Sequence, residues 1–249
     1  MKSDIRSIAI IGAGPAGSTL ATLLAQNGKE VVIFDFDKRP SIVVGESLIP
    51  AVIPILQKLN LEEKIKSFSM LKPGATFLMD DIENHYGFEE FGKKLPGYAY
   101  NVPRDQFDAA VLNAAQSAGA KVISQLARLE FDAKTGQPKL ASECLAIVNE
   151  HLSTDGPDLI VDASGRKRLF SSMMKIPSRS GNRSDTVLFA HLESADTTVP
   201  GHIHIGRLRH GWNWFIPLPG RMSVGFVMNH ERLKEYGDSN EERYDNLLR

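Results

Sequence analysis

A glycine-rich turn between two buried strands is the feature that most restricts what this chain can become. Ser7-Ile8-Ala9-Ile10-Ile11 is short, continuous and rich in β-branched residues, the pattern of a strand covered on both faces. Gly12-Ala13-Gly14-Pro15-Ala16-Gly17 follows at once, and a helix is expected to begin near Pro15, a residue favoured in a first turn. That helix should carry Ala16, Leu20, Leu23 and Leu24 on its apolar face and stop at Asn27-Gly28. Val31-Val32-Ile33-Phe34 reads as a second buried strand ending at Asp35. Strand, turn, helix and strand make a βαβ unit, the seed of a mixed α/β fold.

Each glycine has a physical reason. Gly12 permits the tight turn, Gly14 lets the backbone approach a pyrophosphate, and Gly17 lets helix and strand pack closely. The helix start offers unpaired N–H groups and the positive end of its dipole to that pyrophosphate. Asp35 stands 18 residues past Gly17, placed to accept the hydroxyls of an adenosine ribose. An acid there argues for an unphosphorylated ribose, hence FAD or NAD rather than NADP. Gly12, Gly14, Ala16, Gly17 and Asp35 are therefore candidate cofactor-binding residues.

Composition narrows the rest. A length of 249 residues, 42% hydrophobic and 24% charged, is ordinary for a globular chain with one large or two intimate domains. A net charge of −1 gives no reason to expect nucleic acid or an anionic membrane as partner. The single cysteine, Cys144, excludes an internal disulfide and a cysteine-based metal cluster. The start, Met1-Lys2-Ser3-Asp4 before Ile8–Ile11, is too short for a signal-peptide core, and no stretch reaches the roughly 20 apolar residues that span a bilayer. The expectation is a cytoplasmic protein.

Further motifs follow in order. Gly45-Glu46-Ser47 precedes an apolar helix expected over Pro50–Leu59. Asn101-Val102-Pro103-Arg104-Asp105-Gln106-Phe107-Asp108 opens a helix running to about Ser117, and Asp162-Ala163-Ser164-Gly165-Arg166 closes the strand Leu159–Val161. Taken singly, Arg104 is a charge at a helix start and Asp162 a turn residue. Taken together with the glycine turn, the series resembles the FAD-dependent aromatic hydroxylase and halogenase superfamily. The resemblance implies that Arg104 approaches the flavin, that Asp162 and Gly165 lie near the pyrophosphate, and that Glu46 and Ser47 contact the cofactor.

Lys72-Pro73-Gly74-Ala75-Thr76-Phe77 is the next candidate. On its own Lys72 reads as a solvated lysine before a Pro-Gly turn into the strand Ala75–Met79. The pattern nevertheless resembles the position of the reactive lysine in flavin-dependent halogenases, whose role is to hold hypohalous acid near the substrate. A desolvated lysine changes its pKa readily, which suits that task.

In the second half, Leu126–Phe131, Leu145–Val148 and Leu159–Val161 read as strands of a β-meander, with turns at 134–136 and 154–157. Arg179–Asp185 reads as a loop. Thr186–His191, His202–Arg207, Trp212–Pro217 and Met222–Met228 read as antiparallel strands of a substrate sheet. His202 and His204 share a strand face but have no third ligand, so they are expected to be partly exposed polar residues and not a metal site. Asp80–Glu90 reads as an acid-rich loop, and Arg207-Leu208-Arg209-His210 as a solvated hairpin turn. Trp212 and Trp214 also share a face. Aromatics usually pack, but Trp212-Asn213-Trp214-Phe215-Ile216-Pro217 resembles the Trp-x-Trp-x-Ile-Pro run of halogenases, which the hydroxylases lack. The resemblance places the pair beside the passage from flavin to substrate.

The expected fold is therefore α/β, an FAD-binding Rossmann-like (βαβ) domain interleaved with an antiparallel-sheet substrate domain. Its expected boundaries are 1–75 and 100–180 for the dinucleotide part, 76–99 and 181–235 for the sheet, and 236–249 for a truncated helical tail. The implied activity is that of an FADH2-dependent halogenase, generating hypohalous acid at the flavin and halogenating a phenol, pyrrole or indole, free or carrier-bound, through Lys72, with Trp212 and Trp214. It implies halide as co-substrate, a separate flavin reductase as partner, and no bound metal. The alternatives are an FAD-dependent aromatic monooxygenase and a truncated, non-catalytic relative. The family carries a third flavin motif, Gly-Asp before a proline-containing helix start. Gly237-Asp238 has no proline after it and does not count as that motif.

Overall fold

Asp158 sets the start of the first sheet. Its carboxylate accepts the backbone N–H groups of Arg6 (2.8 Å) and Ser7 (3.0 Å), which holds Leu159–Asp162 in parallel register with Ser7–Ile11. These contacts pull the Asp158 carboxyl below its ordinary pKa. The structure, a computed structural model, describes residues 5–36, 42–91, 94–179, 181–193 and 197–249. Of the sequence readings above, Met1–Asp4 and Ser180 lie outside the described residues. Two compact units result, Met1–Ser41 with Asp108–Ser178, and Ile42–Phe107 with Arg179–Arg249. Residues 42–75 and 100–107, expected with the dinucleotide part, thus cluster with the second unit.

The first unit is built on a parallel sheet of four strands in the order Leu159–Asp162, Ser7–Ile11, Glu30–Phe34, Lys121–Ile123. Strand alternation sends Ile8, Ile10, Val31 and Ile33 to one face and Ala9, Ile11, Val32 and Phe34 to the other, and both faces are covered. Ala21 of the helix Pro15–Gln26 and Ala115 pack on the first face. Leu140, Cys144 and Val148 pack on the second.

Two expectations change here. Leu145–Val148 is not a strand but part of the helix Ser142–Asn149. Ala141 is extended at its N-cap, Glu143 sits in its first turn, and Cys144 and Val148, four residues apart, are its buried stripe. The meander therefore does not form. Leu129–Phe131 pairs instead with Pro138–Leu140 around a turn in which the Asp132 carboxylate accepts from the N–H groups of Lys134 and Thr135. Ala16 is exposed, and the buried residues of the first helix are Gly17, Ser18, Ala21 and Thr22. Close approach of helix to strand selects small side chains over Leu23, and Ser18 donates its hydroxyl back to the carbonyl of Ala13 at 3.0 Å.

The second unit is built on a sheet of six strands in the order Asp185–Glu193, Arg221–Asn229, Gly211–Leu218, Ile203–Leu208, Gly74–Met79, Ile82–Gly87. All neighbours are antiparallel except Ile203–Leu208 with Gly74–Met79. The expected loop over 80–90 is instead the last strand of this sheet and a short 3-10 turn, Phe88–Phe91. Asp80 and Asp81 form the two-residue hairpin, both at positive φ (49° and 66°), a conformation that a short polar side chain tolerates. Asn240–Leu248 is the expected charged helix. Ser239 caps it by accepting from the N–H of Glu242 at 3.1 Å, and Tyr244 anchors it by donating to the carbonyl of Val224 and stacking edge-on against Phe226. No helix among the described residues is long and apolar enough to cross a membrane.

Candidate functional site

The glycine turn of the first unit is shaped by close contacts at two positions and by open space at a third. A β-carbon on Gly12, which has φ +108°, would stand 2.5 Å from the carbonyl oxygen of Ala163. One on Gly17 would stand 1.9 Å from the carbonyl oxygen of Gly12. Around Gly14 nothing among the described residues lies within 4 Å of such an atom. Gly14 is also the N-cap of the helix Pro15–Gln26 and has no side chain to satisfy the helix's first N–H groups. The turn therefore presents open space above donors and a positive dipole end. Asp35 follows the second strand, with its N–H donated to Ile123 at 2.9 Å.

Asp162 closes the adjacent strand. Its carboxylate accepts from the N–H groups of Ser164 (3.0 Å) and Phe170 (2.8 Å). Burial pushes this carboxyl up, but those hydrogen bonds prevail and hold it below its ordinary pKa. Gly165, at φ +61°, has open space around it. Asp162 thus shapes the turn whose Ala163 backbone meets Gly12.

In the second unit three segments run side by side. Met70–Lys72 pairs with Ala99–Asn101 in the register Lys72 to Ala99. On the other side Leu48 N–H donates to Tyr100, and Val102 N–H donates to Glu46 at 2.7 Å. Glu46, Ser47 and Lys72 are thereby brought together. Glu46 is buried and its carboxylate is 2.7 Å from Nε2 of His191. Among the described residues the buried Ser47 hydroxyl has no hydrogen-bond partner. Gly45 has φ +94°, and a β-carbon there would meet the Arg104 guanidinium, which itself donates to the carbonyl of Val44.

Lys72 is not solvated. It is 3% exposed, its ammonium donates to the carbonyl of Leu48 at 3.0 Å, and it lies 5.1 Å from the centroid of the Phe88 ring. Among the described residues no carboxylate pairs with it, and burial lowers its pKa to about 8. Phe88 also lines an apolar cavity of about 730 Å³, with Ala75, Phe77, Met79, Tyr86 and Leu95. Neither Phe88 nor this cavity is a candidate in the sequence, because Tyr86 and Phe88 fall in the segment read there as a loop.

Trp214 is buried and Trp212 is 39% exposed, their ring centroids 5.8 Å apart. Trp214 donates Nε1–H to the Ser223 hydroxyl at 3.2 Å. Pairing sets Trp214 opposite Ile205, and Ile205 opposite Phe77, so the tryptophan face of the sheet is also the cavity face. The opposite face holds Thr76, which is fully buried. His202, expected to be partly exposed on a strand, is buried just before the strand begins, with its Nδ1 on the Thr76 hydroxyl. Burial, with the charges of His85, His204 and Lys72, lowers its pKa. No cluster of three metal-ligating side chains occurs among the described residues.

A profile of FAD-binding domains matches residues 6–200. The chain belongs to the FAD-binding domain family. Its relatives in sequence include a tryptophan 2-halogenase of Chondromyces crocatus, 32% identical over 240 residues that make up 92% of this chain and 44% of the relative. A flavin-dependent halogenase of Armillaria mellea is 31% identical over 92% of this chain and 46% of its own. This FAD-binding chain thus spans about half the length of the relatives it matches. Among solved structures, the myxobacterial chondrochloren halogenase superposes with a TM-score of 0.79 at 25% identity, over 99% of this chain and 58% of that one. The FAD-binding family predicts a dinucleotide cofactor, and the turn fits one: open space over Gly14, an uncapped helix start, and glycines where any side chain would collide.

Proposed function

We propose that this chain is the flavin-binding part of an FADH2-dependent halogenase and carries its reactive lysine. One observation carries the reading. Lys72 is a buried amine without a carboxylate partner among the described residues, beside an aromatic-lined cavity of about 730 Å³. Pockets of about 300–1,000 Å³ hold small organic ligands, and the apolar lining suits a phenol, pyrrole or indole. The halogenase relatives support the same chemistry.

In this reading the first unit holds FAD through Gly12, Gly14, Ala16, Gly17, Asp35, Asp162 and Gly165. Glu46, Ser47 and Arg104 are assigned to the flavin by the motif resemblance. When bound and reduced, FAD supplies the oxygen chemistry that turns halide into hypohalous acid. Lys72 receives that acid by hydrogen bond and orients its halogen toward the ring. With a pKa of about 8, roughly a tenth of the amine is unprotonated at pH 7, so both donor and acceptor forms are populated. Trp212 and Trp214 keep the substrate away from the flavin. A separate flavin reductase supplies the reduced flavin, the chain acts in the cytoplasm, and the substrate is free or carrier-bound.

The test combines the chain with FAD, a flavin reductase, chloride or bromide and a panel of phenols, pyrroles and indoles. The expected result is a halogenated product that disappears in Lys72→Ala while FAD affinity is kept. Product from Lys72→Ala removes the lysine's role. A likeness at 26% identity and TM-score 0.80 to a flavoprotein/dehydrogenase of Cytophaga hutchinsonii favours a second reading, a flavin oxidoreductase or monooxygenase. That reading predicts NAD(P)H oxidation by the chain alone and oxygen, not halogen, in the product. A folded chain that binds no flavin identifies a non-catalytic relative.

A further inference from the structure

The cavity that Phe88 lines is apolar except for three side chains. Phe77, Met79 and Phe88 form much of its wall, and Phe77 meets Tyr86 edge-on with ring centroids 5.7 Å apart. The polar side chains among its described lining are Asn84, Tyr86 and Lys94. Asn84 and Tyr86 stand opposite Phe77 and Ala75 in the sheet, so strand alternation turns both to the cavity face. Lys94 lies beyond the 3-10 turn that follows this strand and is exposed. Among the described residues neither Asn84 nor Lys94 has a side-chain partner within the protein.

The acids of this region are engaged elsewhere. Glu83 alternates to the opposite face of the strand, where its carboxylate accepts from the Thr198 hydroxyl at 3.0 Å and stands 3.6 Å from Nε2 of His85. Asp80 is paired with Arg207. No carboxylate occurs among the described lining residues, and the charge they present is the ammonium of Lys94.

We propose that the cavity takes a free aromatic acid, its ring against Phe77 and Phe88 and its carboxylate on Lys94, with the Asn84 amide as a second donor. The inference rests on the halogenase reading and names the substrate class of that same cavity. A carboxylate is costly to bring against an apolar wall unless a cation or a donor meets it. A lysine and an amide without protein partners meet it here, and charge-assisted hydrogen bonds are the stronger kind. A ring against Phe88 also lies beside the residue that borders the Lys72 ammonium. Attachment to a carrier protein through a thioester would put sulfur in place of the ionised oxygen and leave Lys94 with no charge to pair. The cavity therefore separates a free acid from a tethered one.

The test measures equilibrium binding to the full chain at pH 7, without flavin or halide. The probes are 4-hydroxybenzoate, 4-hydroxybenzamide and the N-acetylcysteamine thioester of the same acid, which share the ring and differ at the carboxyl. The acid is expected to bind at least about fivefold more tightly than either neutral form, the scale of a partly solvated ion pair, and salt should narrow the ratio. In Lys94→Met the ratio should fall below about twofold, whereas Lys94→Arg keeps it and Lys94→Glu reverses it. Lys94 is exposed, so these variants are expected to fold. Asn84→Trp, which obstructs the cavity, should abolish binding of all three probes and so locates the site. No binding of the acid, equal binding of acid and amide, or a preference unchanged in Lys94→Met overturns the inference. A preference for the acid without any halogenated product leaves the acid site standing and removes the halogenase reading. Halogenation of neutral and acidic rings alike, with no preference in binding, does the opposite.

Discussion

The indole of Trp214 lies flat on Gly225 of the neighbouring strand. A β-carbon there would stand 2.2 Å from Cζ2, and the two residues are directly paired in the sheet. The tryptophan keeps its place because its partner has no side chain. Gly225→Ala should displace the ring, break its hydrogen bond to Ser223 and destabilise the chain by roughly 1–3 kcal/mol, the usual range for overpacking. Urea unfolding followed by tryptophan fluorescence reads both effects, and unchanged emission and midpoint would show that the ring is not held there.

Burial of Lys72 makes stability depend on pH in an unusual direction. Its folded pKa is depressed from 10.5 to about 8. Below pH 8 folded and unfolded chains both hold the proton, and the folded chain bears the full burden of a buried charge. Between pH 8 and 10.5 the unfolded chain binds more protons, so stability rises with pH, by on the order of 3 kcal/mol in total. Lys72→Met should be more stable than the parent at pH 7 and lack this rise. Denaturation midpoints at pH 7 and pH 9.5 decide it, and a parallel dependence in the two proteins would contradict the depressed pKa.

The glycines separate fold from ligand. Gly17→Ala places a β-carbon 1.9 Å from the Gly12 carbonyl oxygen and should impair folding. Gly14→Ala meets nothing within 4 Å and should leave the thermal midpoint of the ligand-free chain within a degree or two, while weakening FAD binding at least about tenfold, or 1.4 kcal/mol. Equal FAD affinity in Gly14→Ala would mean that the cofactor does not approach there.

Asp162→Ala removes the acceptor for two backbone N–H groups and should cost roughly 1–2 kcal/mol at pH 7. The carboxyl is depressed, so this contribution is present above the unfolded pKa of about 3.9 and fades as pH falls through the lower folded value. The difference between parent and variant should therefore shrink in acid, and a difference that stays constant down to pH 2 would argue against it.

The βαβ unit was legible because its signals are local: continuous β-branched runs, a Pro helix start and an acid at the strand end. Leu145–Val148 misled because a four-residue apolar run has no period of its own, and its helix shows only when Cys144 and Val148 meet the sheet. The hairpin at Asp80-Asp81 was hidden because it lacks the glycine that normally marks such a turn. With that strand unseen, the cavity beside Lys72 was unseen as well. The burial of Lys72 and His202 is likewise set by distant partners, Leu48 and Thr76, which no short window contains.

The pairing of Ile8 with Leu159 spans about 150 residues of chain. At roughly 5–20 residues per second, a ribosome takes on the order of ten to thirty seconds to deliver the second strand after the first. During that interval the edge of Ser7–Ile11 that faces Leu159–Asp162 has no mate, and Ile42–Phe107 emerges in between. The nucleotide half of the molecule is thus begun first and finished late. A newly made chain spends its early life with an open, apolar strand edge, which makes synthesis, and not the finished fold, the stage most exposed to aggregation.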